Sequence, residues 1–375
     1  MISRIIPVVT LLTVLGILVV GFFILTKKES RNNTPRPAPS PAPLPLKSIG
    51  WIPYWDQEKA FATVQTNASS FDFISVFWYG LSKEGEVIKY EGVVEDREII
   101  KFAKENQIKV MALFANLIEE EGDVWDAERV NKVISDPQKR KVHIQEILTK
   151  VDEFDFDGVD IDYEALKKPQ RNDYTQFIKE LADALHKQDK LIGISIHPKT
   201  SEDNPAEYNG SQAQDWQNLA KVVDHMYFMT YGEYWDKSKV GPIASLPWVR
   251  NVINYALSIG VPRKKIFMGI PLYGLKWQKI NGAFEPAQSD TEELLYDEIY
   301  YLINNSSGEV KWDSKSHASY FEYQTLGISN IIWFEDSRSV EDKIKFANKT
   351  GLGGVGFWRL GGEDSQVWNT LRNSP

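Results

Sequence analysis

Ten residues, Asp155 to Glu164, read D-F-D-G-V-D-I-D-Y-E, and they constrain the chain more than any other stretch. Val159, Ile161 and Tyr163 alternate with Asp160, Asp162 and Glu164, the period of two that marks a β-strand. Successive side chains on a strand point to opposite faces. The three carboxylates therefore form one column, with neighbours about 6.5 to 7 Å apart along the backbone. Asp157 falls on the other parity, beside the turn residue Gly158, where the chain enters the strand. Three acids on one buried face are costly to hold ionised. Desolvation and like-charge repulsion raise at least one pKa, and the column titrates as a unit. A carboxylic acid still protonated near neutral pH is what general acid catalysis requires.

Three other readings compete with that one. A solvated edge strand has no need of three acids on one side. A calcium loop requires Gly at its sixth position and Glu at its twelfth, and neither is in register here. A magnesium site on Asp160 and Asp162 stays open. Bulk composition narrows the field further. With 375 residues and 42% hydrophobic content, the chain can form one large domain or two smaller ones. A net charge of −9 argues against a nucleic-acid partner. Without cysteine there are no disulfides, thiolate metal sites or Cys nucleophile. The five His residues show no metal-binding spacing, and apart from that magnesium alternative neither metal nor cofactor is expected.

Ile5 to Thr26 carry no charge, a run long enough to cross a bilayer as a helix. No small-residue cleavage site follows, so residues 1–27 read as an uncleaved membrane anchor. Residues 28–47 form a linker with Pro at 35, 37, 39, 41, 43 and 45, a pattern that favours extended polyproline II. Lys27, Lys28, Arg31 and Arg36 stand after the span and Arg4 before it, which by the positive-inside rule favours a cytoplasmic domain. Against that count, the domain is expected at the cell surface, outside the membrane.

Residues 48–375 read as one domain in which strands alternate with helices, the pattern of a parallel α/β fold. Expected strands are 49–55, 73–79, 109–115, 158–164, 192–197, 225–231, 266–272 and 354–358, and eight is the barrel number. Tyr174, Phe177, Ile178, Leu181 and Leu185 recur at helical spacing within 173–187. A second helix is expected over 339–349, opened by a capping serine and stopped at Gly351. The stretch 274–336 is too long for a bare loop and holds strand-like runs, so it reads as a small α+β insertion between strands seven and eight.

The spacing Asp157-x-x-Asp160-x-Asp162-x-Glu164 resembles the signature of glycoside hydrolase family 18, the chitinase-like enzymes. Other stretches resemble the same family: G-W-I-P-Y-W at 50–55, F-W-Y-G at 77–80, M-T-Y at 229–231 and G-I-P-L-Y-G at 269–274. W-F-E-D at 333–336 and G-F-W-R-L-G-G-E-D at 356–364 resemble a bacterial branch associated with spores and cell walls. The likeness covers nearly all of the chain from Ser48 to Trp368.

The resemblance implies a TIM barrel with the acidic motif on strand four and the insertion walling one side of a substrate cleft. It implies a retaining hydrolase of N-acetylglucosamine-containing polysaccharide. Glu164 would be the general acid/base, Asp162 would orient the substrate's own acetamido nucleophile, Asp160 would tune Asp162, and Tyr231 would donate to the acetamido oxygen. Trp358 would be the aromatic floor beneath the sugar, with Asp157, Tyr163, Met229 and Tyr273 also contacting substrate. One departure stands out. The family usually has Asp after the sixth-strand tyrosine, where this chain has Gly232 followed by Glu233 and Tyr234, either of which could take its place. That leaves a non-catalytic sugar-binding protein as the alternative.

Overall fold

A computed structural model describes residues 46–118, 124–202, 210–235, 238–280, 282–286 and 293–373. Eight parallel strands pair side by side into a closed barrel: β1 (Lys47–Pro53), β2 (Phe73–Leu81), β3 (Lys109–Ala115), β4 (Gly158–Asp162), β5 (Leu191–Ile196), β6 (His225–Phe228), β7 (Ile266–Pro271) and β8 (Gly354–Trp358). Pairing of β1 with both β2 and β8 closes the ring. All nine residues of β2 and all six of β7 are buried. That is the burial of parallel strands covered on both faces, by helices outside and by packed side chains within.

The outer helices follow from amphipathic spacing and from their caps. Arg171–His186 buries Tyr174, Phe177, Ile178, Leu181 and Leu185 against the barrel. Pro137–Phe154 opens with proline after Asp136, whose carboxylate accepts from the backbone N–H of Gln138 and Lys139 at 2.8 and 3.0 Å. The helix expected over 339–349 begins earlier, at Ser337. Its cap is the Asp336 carboxylate, which accepts from Ser339 N–H at 2.9 Å, and its stop is Gly351 at φ +69°. Asp is the stronger acceptor, and it lies one turn upstream of the serine chosen from sequence.

Between β7 and β8 the chain forms the insertion as a six-stranded antiparallel sheet with the helix Tyr296–Asn305. Strands Tyr273–Ile280 and Ile328–Phe334 pair at its centre, so it opens and closes beside the same end of the barrel. Ile299, Phe321, Tyr323, Ile332 and Phe334 give it a core of its own. At its exit Glu335 and Lys343 form an ion pair with both side chains essentially inaccessible, at 2.7 and 2.9 Å. The expected anchor at 1–27 and all but the end of the linker at 28–47 lie outside the described residues, and Lys47 already belongs to β1. Among the described residues no helix is long and apolar enough to cross a membrane.

Candidate active site

The acidic column stands at the C-terminal mouth of the barrel, where the loops after the strands meet. Strand β4 ends at Asp162, two residues short of the expected limit. Beyond it the backbone turns, with Ala165 in the left-handed region at φ +58°. Glu164 keeps its place because Asn116, fully buried after β3, grips its peptide on both sides. The Asn116 amide donates to the Glu164 carbonyl at 3.0 Å, and its oxygen accepts the Glu164 N–H at 2.8 Å.

The register of β4 against β5 sets Asp160 beside Gly193. A Cβ on Gly193 would collide with the Tyr227 ring at 2.2 Å, so this glycine gives Tyr227 its space in the barrel interior. Asp160 is fully buried, and one of its oxygens accepts from Trp51 Nε1 at 2.8 Å and Ser75 Oγ at 3.0 Å. Burial outweighs these donors and pushes its pKa up to about 6. Asp162 is pushed up to about 7, first by burial and then by the charge of Asp160, against a hydrogen bond from Ser195. One oxygen of each aspartate lacks a hydrogen-bond partner.

Glu164, its side chain 18% exposed, is raised well above the ordinary carboxylate range by burial and by the neighbouring Asp162. The column thus holds protons near neutral pH, and its outermost member meets solvent.

A cavity opens onto Asp162 and Glu164, walled by Ser195 from β5, Met229 and Tyr231 beyond β6, and Trp358 at the end of β8. Gly269 on β7 leaves room for Tyr231, whose ring would lie 2.9 Å from a Cβ there. The Tyr231 hydroxyl is held protonated by burial, by Tyr273 and by the nearby acids. Trp358 lies edge-on to Trp51 and to the exposed Trp55, each with ring centroids 6.4 Å away, and the peptide after it is cis.

Of the nine residues expected to act, Asp162, Glu164, Met229, Tyr231 and Trp358 line this cavity. Asp160 supports it from below. Tyr273 sits in the adjoining apolar cluster, which Tyr231 and Trp358 border. Two expectations are corrected. Tyr163 has the opposite parity to the acids, so its ring stacks on Phe177 in the helix layer and its hydroxyl pairs with His143 at 2.7 Å. Asp157 lies at the far end of β4, where its carboxylate accepts the Val110 N–H at 2.8 Å. Neither lines the cavity.

The substitutes considered for the missing aspartate do not line it either. Glu233 accepts from Ser245 N–H at 2.7 Å, at the start of the helix Leu246–Ser258, and Tyr234 packs on Gly241. Gly232 itself, at φ +78°, has open space around it. Among the described residues, no group of three or more His, Asp or Glu is arranged to hold a metal ion.

Sequence reasoning passed over Asn116, Ser195, Trp125 and Gly269. Asn116 and Trp125, which also lines the cavity, come from segments without a local signature. Gly269 opens the G-I-P-L-Y-G stretch, and the alternation of β5 aligns Gly193, Ser195 and His197 on one face, so for these a usable signal was present.

Residues 51–363 match the family described as glycosyl hydrolases family 18. The chain is 24% identical over 295 residues to the uncharacterized glycosylase YvbX of Bacillus subtilis (strain 168), covering 78% of this chain and 82% of that one. It is 27% identical over 266 residues to the cortical fragment-lytic enzyme of the same organism, covering 70% of this chain and 59% of that relative's length. The fold is similar to that of a chitinase from Chromobacterium violaceum ATCC 12472, with a TM-score of 0.77 at 25% identity over 87% of this chain and 98% of that one. It is also similar to the spore cortex-lytic enzyme SleL of Bacillus megaterium QM B1551, with a TM-score of 0.78 at 22% identity over 89% and 75%. Because the family match runs from the first barrel strand to the turn beyond the last, the chain belongs to glycosyl hydrolase family 18 and is a glycosidase.

Proposed function

We propose that the protein is a retaining hydrolase of β-linked, N-acetylglucosamine-containing glycans, working by substrate-assisted catalysis with Glu164 as general acid/base. The observation that supports this most is the graded column: two buried aspartates with raised pKa values, topped by a protonated glutamate at the cavity. Most glycosidases place a second carboxylate across the sugar as nucleophile or base. In the present reading the substrate's 2-acetamido oxygen takes that role.

Glu164 gives its proton to the departing glycosidic oxygen. The acetamido oxygen attacks the anomeric carbon and closes an oxazolinium ring, whose positive charge Asp162 stabilises. Tyr231 donates to the acetamido oxygen, and the proton shared between Asp160 and Asp162 sets the charge the ring meets. Water then attacks the anomeric carbon from the face the leaving group vacated, giving its proton to Glu164; the ring opens and the anomeric configuration is retained. Trp358 supplies an aromatic face for the sugar.

The late-chain motifs and the cortical fragment-lytic relative favour peptidoglycan over chitin as the natural glycan. The uncharged run Ile5 to Thr26 and the proline-rich segment after it support a surface location, with the catalytic domain held off the membrane.

The test is substrate chemistry. The full-length chain should release new reducing ends from N-acetylglucosamine oligomers and none from the same oligomers after N-deacetylation. Equal cleavage of both would refute the acetamido nucleophile. Binding of the acetylated oligomers without cleavage would favour the sugar-binding alternative, which the open space at Gly232 makes worth testing.

A further inference from the structure

His197 stands just past β5, on the inward-facing parity that begins at Gly193 and Ser195. The offset that sets Asp160 beside Gly193 carries Asp162 to Ser195 and Glu164 to His197. The side chains follow that register: His197 Nε2 lies 3.7 Å from Glu164 Oε2. The ring is 3% exposed, and Nε2 is buried without a hydrogen-bond partner. Buried ring nitrogens rarely stay unpaired, so this one calls for an explanation.

The ring has little freedom to turn away. Its backbone N–H is tied to Gln214 Oε1 at 2.9 Å, and Gly210, at φ +88°, lies against it. A Cβ on Gly210 would come within 3.0 Å of Cδ2 and 3.1 Å of Nε2.

We propose that His197 is a positioning residue for Glu164: its neutral imidazole, as the Nε2–H tautomer, closes to a hydrogen bond on the Glu164 carboxylate once that group has given up its proton. This deepens the reading of Glu164 as acid/base and rests on it. While Glu164 is protonated, no anion calls for the donor and the two atoms stand apart. After proton transfer to the leaving oxygen, Nε2–H stabilises the carboxylate. No proton leaves the imidazole. Water restores the proton to Glu164 in the second half of the reaction, and the contact relaxes.

Burial lowers the His197 pKa to about 3, so the ring stays neutral throughout the working range. The charged groups around it leave that arrangement intact. Glu164 faces it from the turn beyond β4, with Asp162 next to Glu164, and Tyr231 senses both acids from beyond β6. Lys199, two residues on, is turned to Glu202 at 3.0 Å and to the carbonyl oxygens of Ser211 and Gln214.

The test compares His197→Leu with His197→Gln in the full-length chain on N-acetylglucosamine oligomers, following kcat against pH. Without the donor the charged form of Glu164 is disfavoured, so His197→Leu should move the alkaline limb of kcat up by about one pH unit. Its kcat at neutral pH should fall about tenfold with KM unchanged. His197→Gln, whose amide can still donate, should keep the wild-type limb. Either an unmoved limb in His197→Leu or identical shifts in both variants would overturn the proposal.

Glu164→Gln run in parallel separates the two claims. If it turns over normally, the acid assignment fails and His197 falls with it. If it is inactive while the His197→Leu profile is unchanged, only His197 fails. Should His197→Leu not fold, ¹⁵N-histidine spectra of the wild type decide: Nε2–H is expected, and a proton on Nδ1 would refute it.

Discussion

Asn116 holds Glu164 by its backbone rather than by its carboxyl group, with one amide bonded to both the N–H and the C=O of the same peptide segment. The Glu164 carboxyl is therefore left free for the proton transfer proposed for it, while its Cα is fixed just beyond the end of β4. Since neither partner is on the other's strand, the clamp also ties the ends of β3 and β4 together.

Asn116→Ala should remove that clamp. Displacing a catalytic group by about 1 Å costs about 10²-fold in rate, and kcat on N-acetylglucosamine oligomers is expected to fall by about that much. Two backbone groups lose their partner, so stability should also drop by about 1–3 kcal/mol in a denaturant melt. A kcat within twofold of wild type would show that the turn after Asp162 holds Glu164 unaided.

The raised acids bear on stability as well as catalysis. Asp160 and Asp162 rise from an ordinary 3.8 to about 6 and about 7 on folding. The folded state therefore binds more protons than the unfolded state between those values, and stability falls as pH rises through that window. The contribution is fully present below about pH 4 and lost by about pH 7. Asp162→Asn cannot ionise, so the wild type should lose stability relative to this variant as pH rises from 4 to 7, measured by denaturant melts across the range. A difference independent of pH would mean Asp162 is ionised in the folded protein throughout.

The Glu335–Lys343 pair joins the last insertion strand to the helix Ser337–Thr350, and both side chains are hidden from solvent. Removing one partner of a buried pair strands the other's charge, at a cost of about 3–5 kcal/mol. Lys343→Met should lose that much in thermal or denaturant melts. Lys343→Met combined with Glu335→Gln should recover a large part of it. A double variant no more stable than the single would mean the loss comes from packing rather than charge.

Much of the site was legible in the sequence because strand alternation is a rigid rule. Asp160, Asp162 and Glu164 share a face in the structure as their spacing required, and the eight barrel strands lie where hydrophobic runs placed them. Strand ends were less legible. Strand β4 stops at Asp162 and β6 at Phe228, because the chain turns there into loops held by contacts from other segments, such as Asn116. Tyr163 shows the other limit. Its neighbours Asp162 and Glu164 line the cavity, but its own parity sends it outward to His143 and Phe177. His197 was aligned on the right face, yet nothing local marked it, since its meaning depends on a residue reached only across the β4–β5 register.

The most direct test of the account is Glu164→Gln in the full-length chain, assayed for new reducing ends on N-acetylglucosamine oligomers and on purified peptidoglycan. The amide keeps the shape of the side chain and removes its transferable proton. Turnover is expected to fall by about 10²–10⁴-fold, the range for a general acid, with oligomer binding and melting temperature close to wild type. Turnover within a few-fold of wild type on either substrate would contradict the assignment of Glu164 as the acid.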